Sequence, residues 1–499
     1  MSDRAADTNA RRTSNARRLR HACFPLALCV LTLGVGAEPS ENALLAAVKR
    51  HDQPLLRRLL ATDARGANSV DPDGTSALMW AVHFDDLEMV DALLSAGSTV
   101  TVTNRYGVGP LYLAAQNGNA PLVKVLLDRG ADANAALPAA ETALMTAART
   151  GNVAVIDALI GAGAKVDAKE EWKGQTALMW AASENNGAAV KTLLAAGADI
   201  TARSAAGEFT ALAFAVRGGA IAASRALLEA KADANGALND GTSMLLLAVT
   251  NAHYELAALL LEFGANPNAD ARGWTPLHQL VWTRRWNLGN NLPGAVKTGD
   301  LASLDLVRKL IASGTDINAR ERREPFDGNR NKLARVGATP FLLAAKSCDL
   351  PLLRLLLDLG ADPSITTEDG TTALMAAAGV GIWAPGENPG THEEALATVR
   401  LLLDVRGGEV NATNANGDTA LHGAVYRGGA IPVIELLAER GAKLDVVNKR
   451  GWTPLIVAQG VEYTPNVLKR YPEAEAVIKT LLARQGLRAA AVPAASDPR

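Results

Sequence analysis

The chain has 499 residues, 48% of them hydrophobic but only 4% aromatic, and its 50 basic and 52 acidic side chains leave a net charge of −2 at pH 7. That balance, with no basic patch, excludes a nucleic-acid partner, and three cysteines are too few for a disulfide framework. The scarcity of rings means that the apolar content is Ala and Leu, the filling of closely stacked helices rather than the mark of a membrane protein.

At the N-terminus, Arg11, Arg12, Arg17, Arg18 and Arg20 precede an apolar run from Ala22 to Leu33, and Val35-Gly36-Ala37 offers a small-residue cleavage site before Glu38. This order is that of a secretory signal peptide over residues 1–37. The run is too short to span a bilayer comfortably. Neither arginine pair is followed by an apolar pair, which favours the ordinary secretory route over the twin-arginine one, and Leu28 is too bulky to precede a lipidated Cys29. The mature chain is therefore expected to begin near Glu38 in the periplasm or outside the cell, in a bacterial envelope. Without the leader 44 basic and 50 acidic residues remain, a net charge of about −6, and Cys348 is the one remaining thiol.

Residues Asn42 to Leu60 supply one apolar face with Leu44, Leu45, Val48, Leu55, Leu56, Leu59 and Leu60, while Lys49, Arg50, Arg57 and Arg58 keep another face wet. That is what a terminal cap of a stack requires. The unit that follows is clearest from Gly174 to Ala202. Thr176 is placed to cap a first helix carrying Leu178, Ala181 and Ala182. Asn185-Asn186-Gly187 break it, Val190, Leu193 and Leu194 line a second helix, and Gly197 ends that helix in a left-handed conformation. Such a pair cannot bury its apolar face alone.

Repetition solves the problem. The leucine at the position of Leu178 recurs at Leu78, Leu111, Leu144, Leu212 and Leu245, then at Leu277, Phe341, Leu374, Leu421 and Leu455. A period near 33 residues with two helices per copy is the signature of a stacked solenoid. The sequence resembles the ankyrin repeat family. Gly273-Trp274-Thr275-Pro276-Leu277-His278 carries its Gly-x-Thr-Pro-Leu-His pattern complete, and Leu-Leu-x-x-Gly-Ala-Asp/Asn recurs at 126–132, 193–199, 260–266 and 356–362. The expectation is an all-α ankyrin-repeat solenoid of about 11–12 repeats over residues 38–485, with a disordered tail from 486 to 499.

Regularity fails in three places, all in repeats eight to ten. Insertions at about Thr283–Ser303 and Gly379–His392 join inner to outer helices, and one at about Glu321–Val336 extends the intervening finger. The first and third are expected to emerge along one edge, about 20 Å apart at roughly 10 Å per layer, with the second as a facing wall. Lys231 stands where glycine would close repeat six, so strain and local distortion are expected there. The last unit departs from pattern at Gly460–Pro465 and ends in an amphipathic helix from Glu473 to about Arg484.

Catalytic constellations are not found. His278 and His422 occupy the position where, as the resemblance implies, an imidazole ties neighbouring fingers together. His392-Glu393-Glu394 lacks the second histidine of a zinc site, and Cys348 has no nearby histidine in sequence to activate it. No metal or cofactor is expected.

The resemblance implies a curved stack whose concave surface binds another protein, without chemistry of its own. The expected reading is an exported, non-enzymatic scaffold, a monomer with a protein partner and no membrane span after the leader is removed. The candidate contacts are His83, Phe84, Arg149 and Arg217, with Gln116 and Asn117, just after the inner-helix Ala pairs. In and beside the insertions, Trp282, Arg285, Trp286 and Trp383 are candidate anchors, with Arg322 and Arg323 facing them. The competing reading is an accessory role in an envelope enzyme system, with the inserted loops forming a small-molecule or metal pocket.

Overall fold

The computed structural model describes residues 42–285, 295–324, 332–382, 389–464 and 467–487. Among these, twelve helix pairs follow one another, from Ala43–Lys49 with Gln53–Thr62 to Pro454–Gln459 with Pro472–Arg484. Each inner helix packs on the inner helices before and after it, and most outer helices do the same in a second layer. The expected all-α solenoid is what forms. One correction is needed in the last unit, where Val461–Thr464 and Val467–Lys469 pair as a short antiparallel hairpin between its two helices.

Each element starts where its capping residue stands. Ser76, Thr142, Thr176, Thr210 and Ser243 lie extended before their inner helices, and each hydroxyl accepts the N–H three residues on. Asp52, Asp86, Asn119, Asn152 and Asp349 do the same for outer helices. Between the two helices of a unit one residue turns left-handed, as Asn185 does at φ 61°. The leucine ladder is the core, with Leu78, Leu144, Leu178, Leu245 and Leu277 all but inaccessible.

The fingers are stitched by a second device, which the sequence reading did not identify. A finger asparagine reaches to the next unit, donating Nδ2–H to the carbonyl of its left-handed glycine and accepting a backbone N–H close behind. Asn134 does this with Gly163 at 3.0 Å and Lys165 at 2.8 Å, and Asn235 with Gly264 at 3.0 Å and Asn266 at 2.7 Å. Where Lys231 replaces the glycine, φ is 70°, confirming the left-handed backbone. The expected distortion is absent: the N–H groups of Lys231 and Ala232 still reach Leu228 and Leu227 at 3.0 and 2.9 Å. Other units leave the space beside this glycine open, as at Gly197 and Gly264, so a side chain costs conformational strain but no clash.

Candidate partner-binding groove

Counting from the first residue of each inner helix, positions four and seven lie one turn apart on the same face, the face that the ankyrin resemblance assigns to the concave side. Position seven is Lys49, His83, Gln116, Arg149, Ser183, Arg217 and Thr250 in repeats one to seven. His83, Gln116, Arg149 and Arg217 are exposed, as is Asn117, while Phe84 is half-buried. The register read from the sequence is therefore the observed one. Beneath these tips lies an aromatic floor: Lys49 Nζ stands 5.3 Å from the Trp80 ring centroid, the Arg149 guanidinium 5.1 Å from that of Trp180, and Arg217 5.2 Å from both Phe209 and Phe214. Phe84 stacks on Trp80 at 5.7 Å. Asn117 is tethered, donating Nδ2–H to Val82 O at 3.0 Å.

In repeats eight to ten the concave face is built differently. Of the second insertion, 321–324 and 332–336 are described. Its base closes by two backbone bonds, Glu321 N–H to Ala338 O at 2.8 Å and Gly337 N–H to Glu321 O at 2.7 Å. Its returning limb lies against the inner helices: the Lys332 N–H reaches Gly381 O at 3.1 Å, Leu333 is buried, and the Arg335 guanidinium sits 3.6 Å from the Trp282 ring centroid. The physical reason is charge. Glu321 and Arg335 side chains are 0% and 2% exposed and meet in two parallel hydrogen bonds, with Arg335 Nε to Glu321 Oε2 at 2.7 Å. A buried carboxylate at one end of the limb holds the arginine at the other. Burial pushes the Glu321 carboxyl up to about 7, against the opposing pull of Arg335.

A side-chain contact links the start of the first insertion to the helix that follows the third. Arg285, at the end of the repeat-eight inner helix, donates to Ser347 O in repeat nine at 3.1 Å and to Glu394 Oε1 in repeat ten at 2.5 Å. The Arg285 and Glu394 side chains together bridge repeats eight and ten past Ser347. Glu394 is fixed in turn by a capping box with Thr391, and the Arg285 hydrogen bond holds its carboxyl below the usual range. Arg284 clamps the outer-helix cap Asp349 in bidentate fashion, at 2.8 and 3.0 Å. Trp282 and Arg285 are thus engaged within the chain. Arg322 pairs with Asp270, Arg323 is exposed, and Trp286 and Trp383 lie outside the described residues.

Three histidines, His278, His422 and His392, are structural. His278 is buried, its Nδ1 faces Thr275 Oγ1 at 2.8 Å, its Nε2 faces Ala338 O of the next finger at 3.1 Å, and burial lowers its pKa to about 3. His422 repeats the arrangement with Thr419 and Trp452 O. His392 reaches Arg427 O at 3.2 Å. Among the described residues no three His, Cys, Asp or Glu side chains gather as a metal site, and no helix is long and apolar enough to cross a membrane. A cavity of about 250 Å³ lies between the fingers of repeats five to seven, lined by Ile200, Arg203, Leu212 and Lys231, away from the insertions.

The comparisons with known proteins agree with this architecture. A family model described as ankyrin repeats in three copies matches residues 21–104, 111–204, 212–288 and 391–469, and one for ankyrin repeats in many copies matches 341–381. Human ankyrin repeat and SOCS box protein 16 is 30% identical over 230 residues, 45% of this chain and 42% of that protein. The phosphocholine transferase AnkX of Legionella pneumophila is 26% identical over 225 residues, covering 43% of this chain and 21% of the relative, and human inversin is 38% identical over 87 residues, 17% and 8%. The chain thus spans less than half the length of each. With the Gly-x-Thr-Pro-Leu-His motif, the paired helices and finger-tying histidines on one side and family matches over most of the sequence on the other, the chain belongs to the ankyrin repeat family.

Proposed function

We propose that the protein is an exported, non-enzymatic scaffold that binds a partner protein along the concave groove of repeats two to seven, with the insertion cluster of repeats eight to ten closing the groove at one end. The observation that carries the reading is the pairing of exposed basic side chains with an aromatic floor at His83, Phe84, Arg149, Trp180 and Arg217. Rings and arginines in a concave surface are the side chains that dominate protein interfaces. At the closed end Trp286, Trp383, Arg322 and Arg323 are the proposed contacts, and Trp282 and Arg285 hold the cluster in shape. The family supports a protein-interaction role, and the leader-like N-terminus supports export.

The test is a photo-crosslinking map in the native host, with the reactive residue placed at Gln116 or Ser183 on the groove and at Arg57 or Lys191 on the outer helices. Crosslinks to one protein from the groove positions alone are expected. Equal yields from both faces would reject the groove. N-terminal sequencing of exported material should begin near Glu38, and an intact Met1 on cytoplasmic protein would reject export.

A further inference from the structure

Two tryptophans of the groove floor occupy equivalent positions and differ in one respect. Trp80 donates its indole Nε1–H to Asp71 Oδ2 at 2.6 Å. The other oxygen of Asp71 receives Lys49 Nζ at 2.9 Å, while that ammonium also faces the Trp80 ring. Cation, carboxylate and indole form a closed triad across repeats one and two. Repeats four and five supply a cation and an indole at the same positions, Arg149 over Trp180. There the Trp180 Nε1–H is screened from solvent and has no acceptor.

The chain's own carboxylates do not fill the gap. Glu171 precedes Trp180 by nine residues, as Asp71 precedes Trp80, but it is exposed. Glu141 lies 3.9 Å from Arg149, yet its nearer oxygen is taken by the hydroxyls of Tyr112 and Thr146 at 2.9 and 3.0 Å. The surroundings favour an anion, because the charged side chains at positions four and seven of repeats one to seven are Lys49, Arg149 and Arg217, all cations.

We propose that Arg149 and Trp180 form a subsite for a side-chain carboxylate of the partner, seated as Asp71 is seated between Lys49 and Trp80. This rests on the groove reading above and names the chemistry recognised there: an acidic residue in the segment lying along repeats four and five. A carboxylate admitted as the exposed Arg149 side chain swings aside accepts from the orphaned indole and neutralises the cation, whereas a neutral amide accepts but leaves the charge unpaired.

The test uses the full mature chain and two short synthetic peptides, one alternating Glu and Ala and one alternating Gln and Ala. Indole ¹⁵N–H spectra are assigned with Trp180→Phe and Trp80→Phe. The Glu peptide is expected to move the Trp180 indole proton downfield and leave that of Trp80 in place, and Arg149→Ala is expected to weaken its binding about tenfold. Equal binding of both peptides with an unmoved Trp180 signal overturns the subsite and leaves the groove reading standing. No shift of any groove indole with either peptide also overturns it, with the groove judged by the crosslinking map. A Trp180 signal that moves in free Glu171→Gln protein would show that Glu171 closes the triad internally, and the proposal falls.

Discussion

Replacing Arg335 by Ala tests how the second insertion is held. Its partner Glu321 is 0% exposed and the arginine 2%, so the pair is broken inside the protein, where such a loss typically costs about 3–5 kcal/mol. That figure applies only while Glu321 is ionised. Its folded pKa, about 7, lies above the ordinary carboxyl value of 4.5, so the stability it contributes is fully present below pH 4.5 and is lost as pH rises through 7. In the variant the attraction of Arg335 is gone, the carboxyl rises further, and the loss continues above pH 7 at about 1.4 kcal/mol per unit. The expected cost is therefore about 1–2 kcal/mol at pH 5, from the lost contact with the Trp282 ring. Near pH 9 it should reach about 3–5 kcal/mol. Urea unfolding at the two pH values gives the difference. Hydrogen exchange in 321–324, 332–338 and the helix Pro276–Arg284 shows whether the loss is local, as a stack of repeats allows. Equal costs at both pH values, or a cost below about 0.5 kcal/mol, would refute the buried-pair account. The double variant Glu321→Gln with Arg335→Met should recover most of the loss, because an apolar filling replaces a charge that no longer needs a partner.

Three further outcomes follow from single positions. Lys231→Gly should raise stability by about 1 kcal/mol, since the backbone there is already left-handed at φ 70°, and a loss on chemical unfolding would show that the lysine side chain contributes more than its strain. The His278 ring should show no titration in NMR spectra between pH 8 and 5: its folded pKa of about 3 lies below the ordinary 6.5, so its contribution is present above pH 6.5 and is lost as pH falls towards 3. A midpoint near 6.5 would mean the imidazole is not buried as described. Gly423→Ala should cost about 1–3 kcal/mol in thermal or urea unfolding, because a Cβ there would stand 2.7 Å from Val380 N and 3.0 Å from Gly379 N. An unchanged midpoint would refute that close approach of backbones.

What the sequence made legible was everything set by local periodicity. The leucine ladder, the Ser and Thr caps, the left-handed glycines and the exposed ends of the inner helices each follow from a rule with a reach of a few residues, and each stands where the spacing placed it. Long-range pairing is the part that spacing does not encode. Glu321 and Arg335 are two ordinary charges in an irregular segment, and only the burial of the first makes the second its necessary partner. Arg285 is a candidate for its charge alone, and its contact with Glu394 depends on two side chains reaching toward each other across an irregular stretch, which no local period specifies. The same distinction separates the two tryptophans of the groove. Trp80 and Trp180 share the run Ala-Leu-Met-Trp-Ala, so sequence assigns them one environment. The structure gives one of them an acceptor from its own finger and leaves the other with a cation above it and none. Repetition therefore makes the departures informative: Trp80 shows what a satisfied position looks like, and a unit that keeps the donors of that position without its acceptor marks where we place a partner's acidic side chain.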